Sequence, residues 1–297
     1  MHRWFLIFLF MAMMAPIHAQ NDGFRVMTFN IRYDNPGDGP HAWKHRKDFV
    51  AEVIHNNKAD VVGVQEALEH QVKQLDSLLP DFTWKGSGRD DGHQKGEFNP
   101  VFYKKSRLNL LDYNTFWLSD TPEIAGSVGW DAACPRIVTW MKFKNKGDGK
   151  EWYVFNTHFD HRGEKARLHA AELLMDTLAS RAAGYPVVVT GDFNALPDSE
   201  PYECLTESGS ELKLLDALKA ARKGAYGPKT TYISFQADFS KERRIDYIFV
   251  NSLINVRKHI VVDDNKEGIY PSDHLPVITE IFLNQDDSKI IQGSGNN

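Results

Sequence analysis

The 297-residue chain is poor in cysteine, with only Cys134 and Cys204. That excludes a disulfide-stapled scaffold. The two thiols could pair in an oxidising compartment, but the simpler expectation is two free, small, buried apolar residues. A basic excess is also missing. Lys plus Arg is 35 against 40 for Asp plus Glu, a formal net charge of −5. No general footprint of a nucleic-acid binder is present, although a local site on an acidic protein can still be positive. Apart from the N-terminus, no apolar run approaches the roughly 20 residues needed to cross a bilayer. H-E-x-x-H, P-loop, G-x-S-x-G and G-x-G-x-x-G signatures are absent, which argues against catalytic zinc, serine hydrolysis and dinucleotide binding. Apolar residues are not scarce. At 42% hydrophobic and 25% charged, the chain has the balance of a globular domain and not of a disordered one.

The N-terminal exception has the pattern of an export signal. Arg3 supplies a positive start, Trp4 to Ala15 is apolar, and Pro16 and Ala19 precede an expected cut before Gln20. The expected organisation is a signal peptide at 1–19, one catalytic domain at 20–284 and a polar tail at 285–297. The mature protein is expected in the periplasm or outside the cell, without integral membrane association and as a monomer.

Period and punctuation predict alternating strands and helices. Strands are expected at Phe24–Ile31, Asp60–Gln65, Pro100–Lys104, Leu108–Leu118, Arg136–Phe143, Trp152–His158, Val187–Thr190, Ile245–Val250, Val256–Val262 and Leu275–Leu283. Helices are expected at Trp43–Asn56, Leu68–Leu79, Arg162–Ala183 and Glu211–Ala221. Glycine-rich 86–96 reads as a loop. A single α/β domain on two stacked sheets fits, although periodicity does not separate it from a doubly wound sheet. Trp130, Trp140 and Trp152 have core packing as their plain explanation.

Polar segments cluster at the ends of these strands: TFNIRYDN at 28–35, Gln65-Glu66, NTHFDH at 156–161, GDFN at 191–194 and SDH at 272–274. RIDYIFV at 244–250 places Asp246 inside an apolar strand, where a carboxylate needs a partner. Each segment alone has an ordinary explanation as a turn, a cap or a satisfied histidine. Together they supply what metal-assisted phosphoester hydrolysis requires. Carboxylate and amide oxygens suit a hard cation. Asn and His can donate to phosphate oxygens, and a carboxylate or His can orient a water.

In this order and spacing, Asn30, Gln65-Glu66, NTH, GDFN, RIDY and SDHLPV resemble the endonuclease/exonuclease/phosphatase superfamily from about Phe24 to Leu283. The resemblance implies a four-layer α/β/β/α sandwich of two stacked mixed sheets flanked by helices. It implies Mg²⁺, with Mn²⁺ as an alternative, bound through Glu66 with Asn30 and Asp273. Asp192 would orient or deprotonate the attacking water, and Asn194 would hold it. Asp246 would polarise His274, His158 would be the other active-site histidine, and Glu97 its carboxylate partner. The implied reaction is in-line attack of water on phosphorus, with a phosphodiester favoured. Nucleic acid remains open as substrate. The alternatives are monoester hydrolysis of sugar or inositol phosphates, or a binding module that has lost catalysis. Arg32, Arg136, Arg162 and Arg167 are candidates for gripping the substrate phosphate. Asp160 and His161 are read as supports behind the histidine.

Overall fold

A computed structural model describes residues 23–207 and 213–284. The expected signal peptide and C-terminal tail, and the start of the helix expected from Glu211, lie outside the described residues. The strands are β1 (Phe24–Asn30), β2 (Val61–Gln65), β3 (Phe82–Lys85), β4 (Val101–Lys104), β5 (Leu108–Trp117), β6 (Ile137–Asn145), β7 (Glu151–His158), β8 (Val187–Asp192), β9 (Leu214–Asp216), β10 (Ala225–Tyr226), β11 (Asp246–Asn251), β12 (Ile254–Val261) and β13 (Val277–Leu283). The helices are α1 (Trp43–Asn56), α2 (Glu69–Leu78), α3 (Glu164–Arg181), α4 (Glu200–Glu207) and α5 (Ala217–Ala220), with a 3₁₀ turn at Pro36–His41.

A seven-stranded sheet runs β10-β12-β13-β1-β2-β4-β3, and a six-stranded sheet runs β5-β6-β7-β8-β11-β9. Both are mixed: β1 is parallel to β2 and antiparallel to β13, while β7 is parallel to β8 and β8 antiparallel to β11. One cluster packs Met27, Phe29, Val62 and Val64 against Val50, Ile54, Val72 and Leu75 of α1 and α2. A second packs Phe155, Val189 and Phe249 against Leu174 and Leu178 of α3 and Tyr202 of α4. A third lies between the sheets, built on Val26, Val61, Val154, Val188 and Ile248. The layers are therefore helix, sheet, sheet, helix, as the family resemblance implied.

The expected helix from Glu211 is corrected. Leu214–Asp216 is a short strand on the edge of the six-stranded sheet, and among the described residues of that segment only Ala217–Ala220 is helical. The Asp216 side chain accepts from Leu218 N and starts that turn. Neither cysteine forms a disulfide, and each is half-buried. Trp140 and Trp152 are core residues of two different clusters, and Trp130 packs partly buried against the cluster that holds Trp140.

The face between the sheets changes character along its length. Side chains alternate with period two along a strand. Val26, Thr28 and Asn30 therefore share the inward face of β1, and Val154, Asn156 and His158 share that of β7. On β8 the matching set is Val188, Thr190 and Asp192. Register pairs Thr28 with Gly63, Asn156 with Thr190, His158 with Asp192, and Asp192 with Asp246. The inter-sheet layer thus passes from valines, through a polar row, to a rim of catalytic residue types.

The polar row ties the sheets together. Gln65 Nε2 donates to Asn156 Oδ1 at 2.6 Å and to Thr28 Oγ1 at 3.1 Å. Asn156 Nδ2 donates across the gap to the carbonyls of Val64 (2.8 Å) and Pro100 (3.1 Å). Gly63 makes room for this row, since a Cβ there would lie 2.2 Å from Thr190 Oγ1 and 2.5 Å from Asn156 Oδ1.

Candidate active site

Asn30 ends β1 facing the other sheet. Its Nδ2 donates to Glu66 Oε1 and to Asp192 Oδ2, both at 3.0 Å. One amide therefore spans the two sheets and sets the spacing of two carboxylates. Glu66 follows β2 in a left-handed conformation, φ 64°, which swings its side chain over the sheet edge. Its Oε2 accepts from Tyr33 N at 3.2 Å. Asn194 (φ 47°) and Arg32 (φ 58°) share this uncommon conformation. Non-glycine residues held there cluster at functional sites.

His274 and Asp246 form the expected pair, Nδ1 to Oδ2 at 2.9 Å, both buried. Burial alone would lower the imidazole pKa, but Asp246 and Asp192 outweigh it and hold His274 well above its ordinary value. The other oxygen of Asp246, Oδ1, is buried without a hydrogen-bond partner. Asp192 Oδ1 accepts from Asn194 N at 3.0 Å, and its Oδ2 lies 3.5 Å from His158 Nε2 and 3.7 Å from His274 Nε2. Burial and the neighbouring Asp246 push the Asp192 carboxyl up to about 7. Donor atoms of Glu66, His158 and Asp192 lie within 4.8 Å of one another, as do those of Asp192, Asp246 and His274.

Asn194 Nδ2 lies 3.1 Å from His158 Nε2 and also donates to the Phe159 carbonyl. An amide N–H aimed at Nε2 makes that nitrogen the acceptor and leaves the proton on Nδ1. His158 Nδ1 has no hydrogen-bond partner, with Glu97 Oε2 at 3.9 Å. Burial first, then Arg136 and Arg89, hold the His158 pKa well below its ordinary value. Glu97 is occupied by Arg89, whose Nη1 donates to Oε2 at 2.6 Å. The expected His158–Glu97 partnership is thus close but not hydrogen-bonded.

Asp273 follows β12 in the loop before β13. Its Oδ2 lies 3.9 Å from Arg32 Nε, and its carbonyl accepts from Ile233 N and Ser234 N. Burial and the nearby Glu66 raise its pKa. Ser272 Oγ donates to the Asn30 carbonyl at 2.7 Å, which fastens the SDH loop to β1.

These groups open into a cleft of about 540 Å³. Arg32 and Arg136, two of the candidate phosphate contacts, line it, together with Arg89, Arg243, Tyr33 and Tyr232. Arg162 and Arg167 do not, and Arg167 instead donates to the Asp160 carbonyl at 3.0 Å. Asp160 supports the wall as expected, accepting from Ala133 N, Arg162 N, Gly163 N and Arg136 Nε. His161 reaches the cleft and pairs with Arg136 Nη2 at 2.8 Å. Tyr33, Tyr232 and Arg243 were not singled out from sequence. Tyr33 lies within the TFNIRYDN segment but was not given a role there, and Tyr232 and Arg243 sit in loops without a pattern that signals them.

Residues 27–274 match the family described as Endonuclease/Exonuclease/phosphatase. A solved endonuclease/exonuclease/phosphatase from Bacteroides vulgatus is similar at TM-score 0.85 and 41% identity, covering 88% of this chain and 99% of that one. A mannosyl-6-phosphatase from Bacteroides thetaiotaomicron is similar at TM-score 0.82 and 34% identity, covering 88% and 100%. Nocturnin of Rattus norvegicus is 22% identical over 90% of this chain and 67% of its own length. Rim geometry, two stacked sheets and these likenesses agree: the chain belongs to the endonuclease/exonuclease/phosphatase family, whose members hydrolyse phosphoester bonds.

Proposed function

We propose that this protein is a divalent-cation-dependent phosphomonoesterase acting on a phosphate carried by a sugar. The observation that carries the monoester reading is a pair of spare guanidinium donors, one on each of two arginines that are otherwise paired with Glu97 and Asp160. Arg136 Nη1 and Arg89 Nε are buried without a hydrogen-bond partner, and both side chains line the cleft beside His158. Buried donors left unmade are expensive, so their natural partner is a ligand. Two guanidinium groups favour a dianionic terminal phosphate over the single charge of a diester. The sequence favoured a diester; the cleft and the 34% identical mannosyl-6-phosphatase favour the monoester.

The residues present fit a magnesium-type cation. Glu66 and Asp273 offer hard oxygen donors at the cleft, and Glu66 keeps lone pairs beyond those used by Asn30 and Tyr33; Asn30 turns its Nδ2 toward Glu66 while its Oδ1 accepts from Arg32 N, so it positions Glu66 instead of offering an oxygen. Mn²⁺ suits the same oxygens. When bound, the cation would neutralise charge on phosphate oxygens and on the leaving oxygen. The protein's own part follows from its contacts. Asp246 fixes the His274 ring by Nδ1, so Nε2 faces the cleft and, when protonated, donates to a phosphate oxygen. Asp192, oriented by Asn30 and Asn194, accepts a hydrogen bond from the attacking water and aims it at phosphorus. His158 and the arginines beside it hold the phosphate.

The test is a panel of hexose phosphates, inositol phosphates, bis-p-nitrophenyl phosphate, DNA and RNA, with and without EDTA. Hexose phosphate turnover is expected to vanish with EDTA and return with Mg²⁺ or Mn²⁺. Turnover indifferent to EDTA rejects the cation. Preference for the diesters rejects the monoester reading.

A further inference from the structure

Arg46 is 2% exposed, lies on α1 and makes no ion pair among the described residues. A buried guanidinium without a carboxylate must satisfy its donors some other way. Arg46 does so with backbone carbonyls alone. Nη1 donates to Ile31 O and to Pro271 O at 3.1 Å, Nη2 to Arg32 O at 2.7 Å, and Nε to His41 O at 2.8 Å. Trp43 and Phe235 pack beside the guanidinium, with ring centroids 5.1 Å and 5.8 Å away.

The four carbonyls belong to segments far apart in sequence. Ile31 and Arg32 directly follow Asn30. Pro271 directly precedes Ser272, Asp273 and His274. One planar fork therefore joins the end of β1 to the loop that carries Asp273. Ser272 Oγ makes a second tie between the same segments, to Asn30 O. Gln71 adds a third support, donating from Nε2 to Arg32 O and accepting from Asp34 N.

We propose that Arg46 is a positioning residue for the divalent cation: it sets the separation of Asn30 and Glu66 on one side from Asp273 on the other. The inference rests on the cation-dependent reading above. Groups that orient metal ligands from behind typically change metal affinity about 10- to 100-fold when removed. The guanidinium acts through shape, because lysine carries the same charge but cannot reach the four carbonyls at these angles.

The experiment compares the full chain with Arg46→Lys and Arg46→Met, measuring Mn²⁺ binding by calorimetry and electron paramagnetic resonance, beside thermal melting. Leu174→Ala, in the far helix layer, serves as a variant of lowered stability with its site intact. Both Arg46 variants are expected to weaken Mn²⁺ binding about 10- to 100-fold. Activity should return to within a few-fold of wild type at saturating Mn²⁺. Leu174→Ala should lower the melting temperature and leave Mn²⁺ affinity alone. Unchanged Mn²⁺ affinity in the Arg46 variants overturns the proposal and leaves Arg46 a folding residue. Full affinity in Arg46→Lys alone also overturns it, since charge and not geometry would then suffice. Should Arg46→Met fail to fold, Arg46→Lys carries the comparison. Failure of the wild type to bind Mn²⁺ removes the cation reading itself.

Discussion

His274 has Asp246 on its Nδ1 at 2.9 Å and Asp192 3.7 Å from its Nε2, so one ring mediates between two buried carboxylates. Removing any member leaves the others mismatched. His274→Ala and Asp192→Asn should each lower kcat by about 10²–10⁴, the usual range for acid–base and charge-stabilising groups. The double variant should be little worse than either single one, because the groups act as a unit. Melting curves taken beside turnover check that the variants stay folded; near-normal turnover in a folded single variant makes that residue a bystander. A different histidine, away from the cleft, contributes to acid sensitivity. His259 lies on β12 opposite Thr279 of β13, bonded to its Oγ1 at 3.0 Å. Burial lowers its pKa from 6.5 to about 4, with Asp216 opposing and Arg244 assisting. The unfolded chain takes up this proton near pH 6.5 while the native chain resists until about pH 4. Stability contributed by neutral His259 is therefore present above pH 6.5 and is lost on acidification through that window. The full loss is about 3 kcal/mol. His259→Gln should flatten the fall of melting temperature between pH 6.5 and 4; an unchanged slope would place the acid sensitivity elsewhere.

Gly63 shows how a single element can hold two sheets at a fixed spacing. Its missing Cβ is the space filled by Thr190 Oγ1 and Asn156 Oδ1. Gly63→Ala should destabilise by about 1–3 kcal/mol, the typical effect of overpacking, and reduce turnover by spreading Asn30 from Asp192. Chemical denaturation and turnover on the same preparation test this, and a variant as stable and active as wild type would show that the layer yields freely. Much of this architecture was legible beforehand. The ends of β1, β7 and β8 announced themselves because polar segments begin there at Asn30, His158 and Asp192, and Asp246 announced itself as a carboxylate set among the apolar residues of RIDYIFV. Shorter elements were not legible. β3 is four residues, one buried and three half-buried, between Pro80 and Gly86, too few to show a period. α4 carries Pro201 in its first turn, where proline is tolerated but reads as a breaker. Arg46 escaped a role because its partners are carbonyls, which every residue possesses and no sequence pattern marks. Arg89 and Glu97 sit in the irregular stretch before β4, so their mutual pairing needed three dimensions.

Across the whole molecule, the site has two owners. Asn30, Glu66, Asp273 and His274 hang from the seven-stranded sheet or its loops, and His158, Asp192, Asn194 and Asp246 from the six-stranded one. A ligand held by both halves acts as a suture across the seam. Anything bound only to the closed form protects against opening in proportion to its occupancy. Vanadate with Mg²⁺ should therefore slow amide hydrogen exchange in β1 and β8 together, even though these strands belong to different sheets and share no backbone ladder. Protection confined to one sheet would mean that the ligand touches only one half. The same division bears on folding: a chain that has built either sheet alone possesses half a set of reacting groups, so phosphoester hydrolysis should appear no earlier than the docking of sheet on sheet.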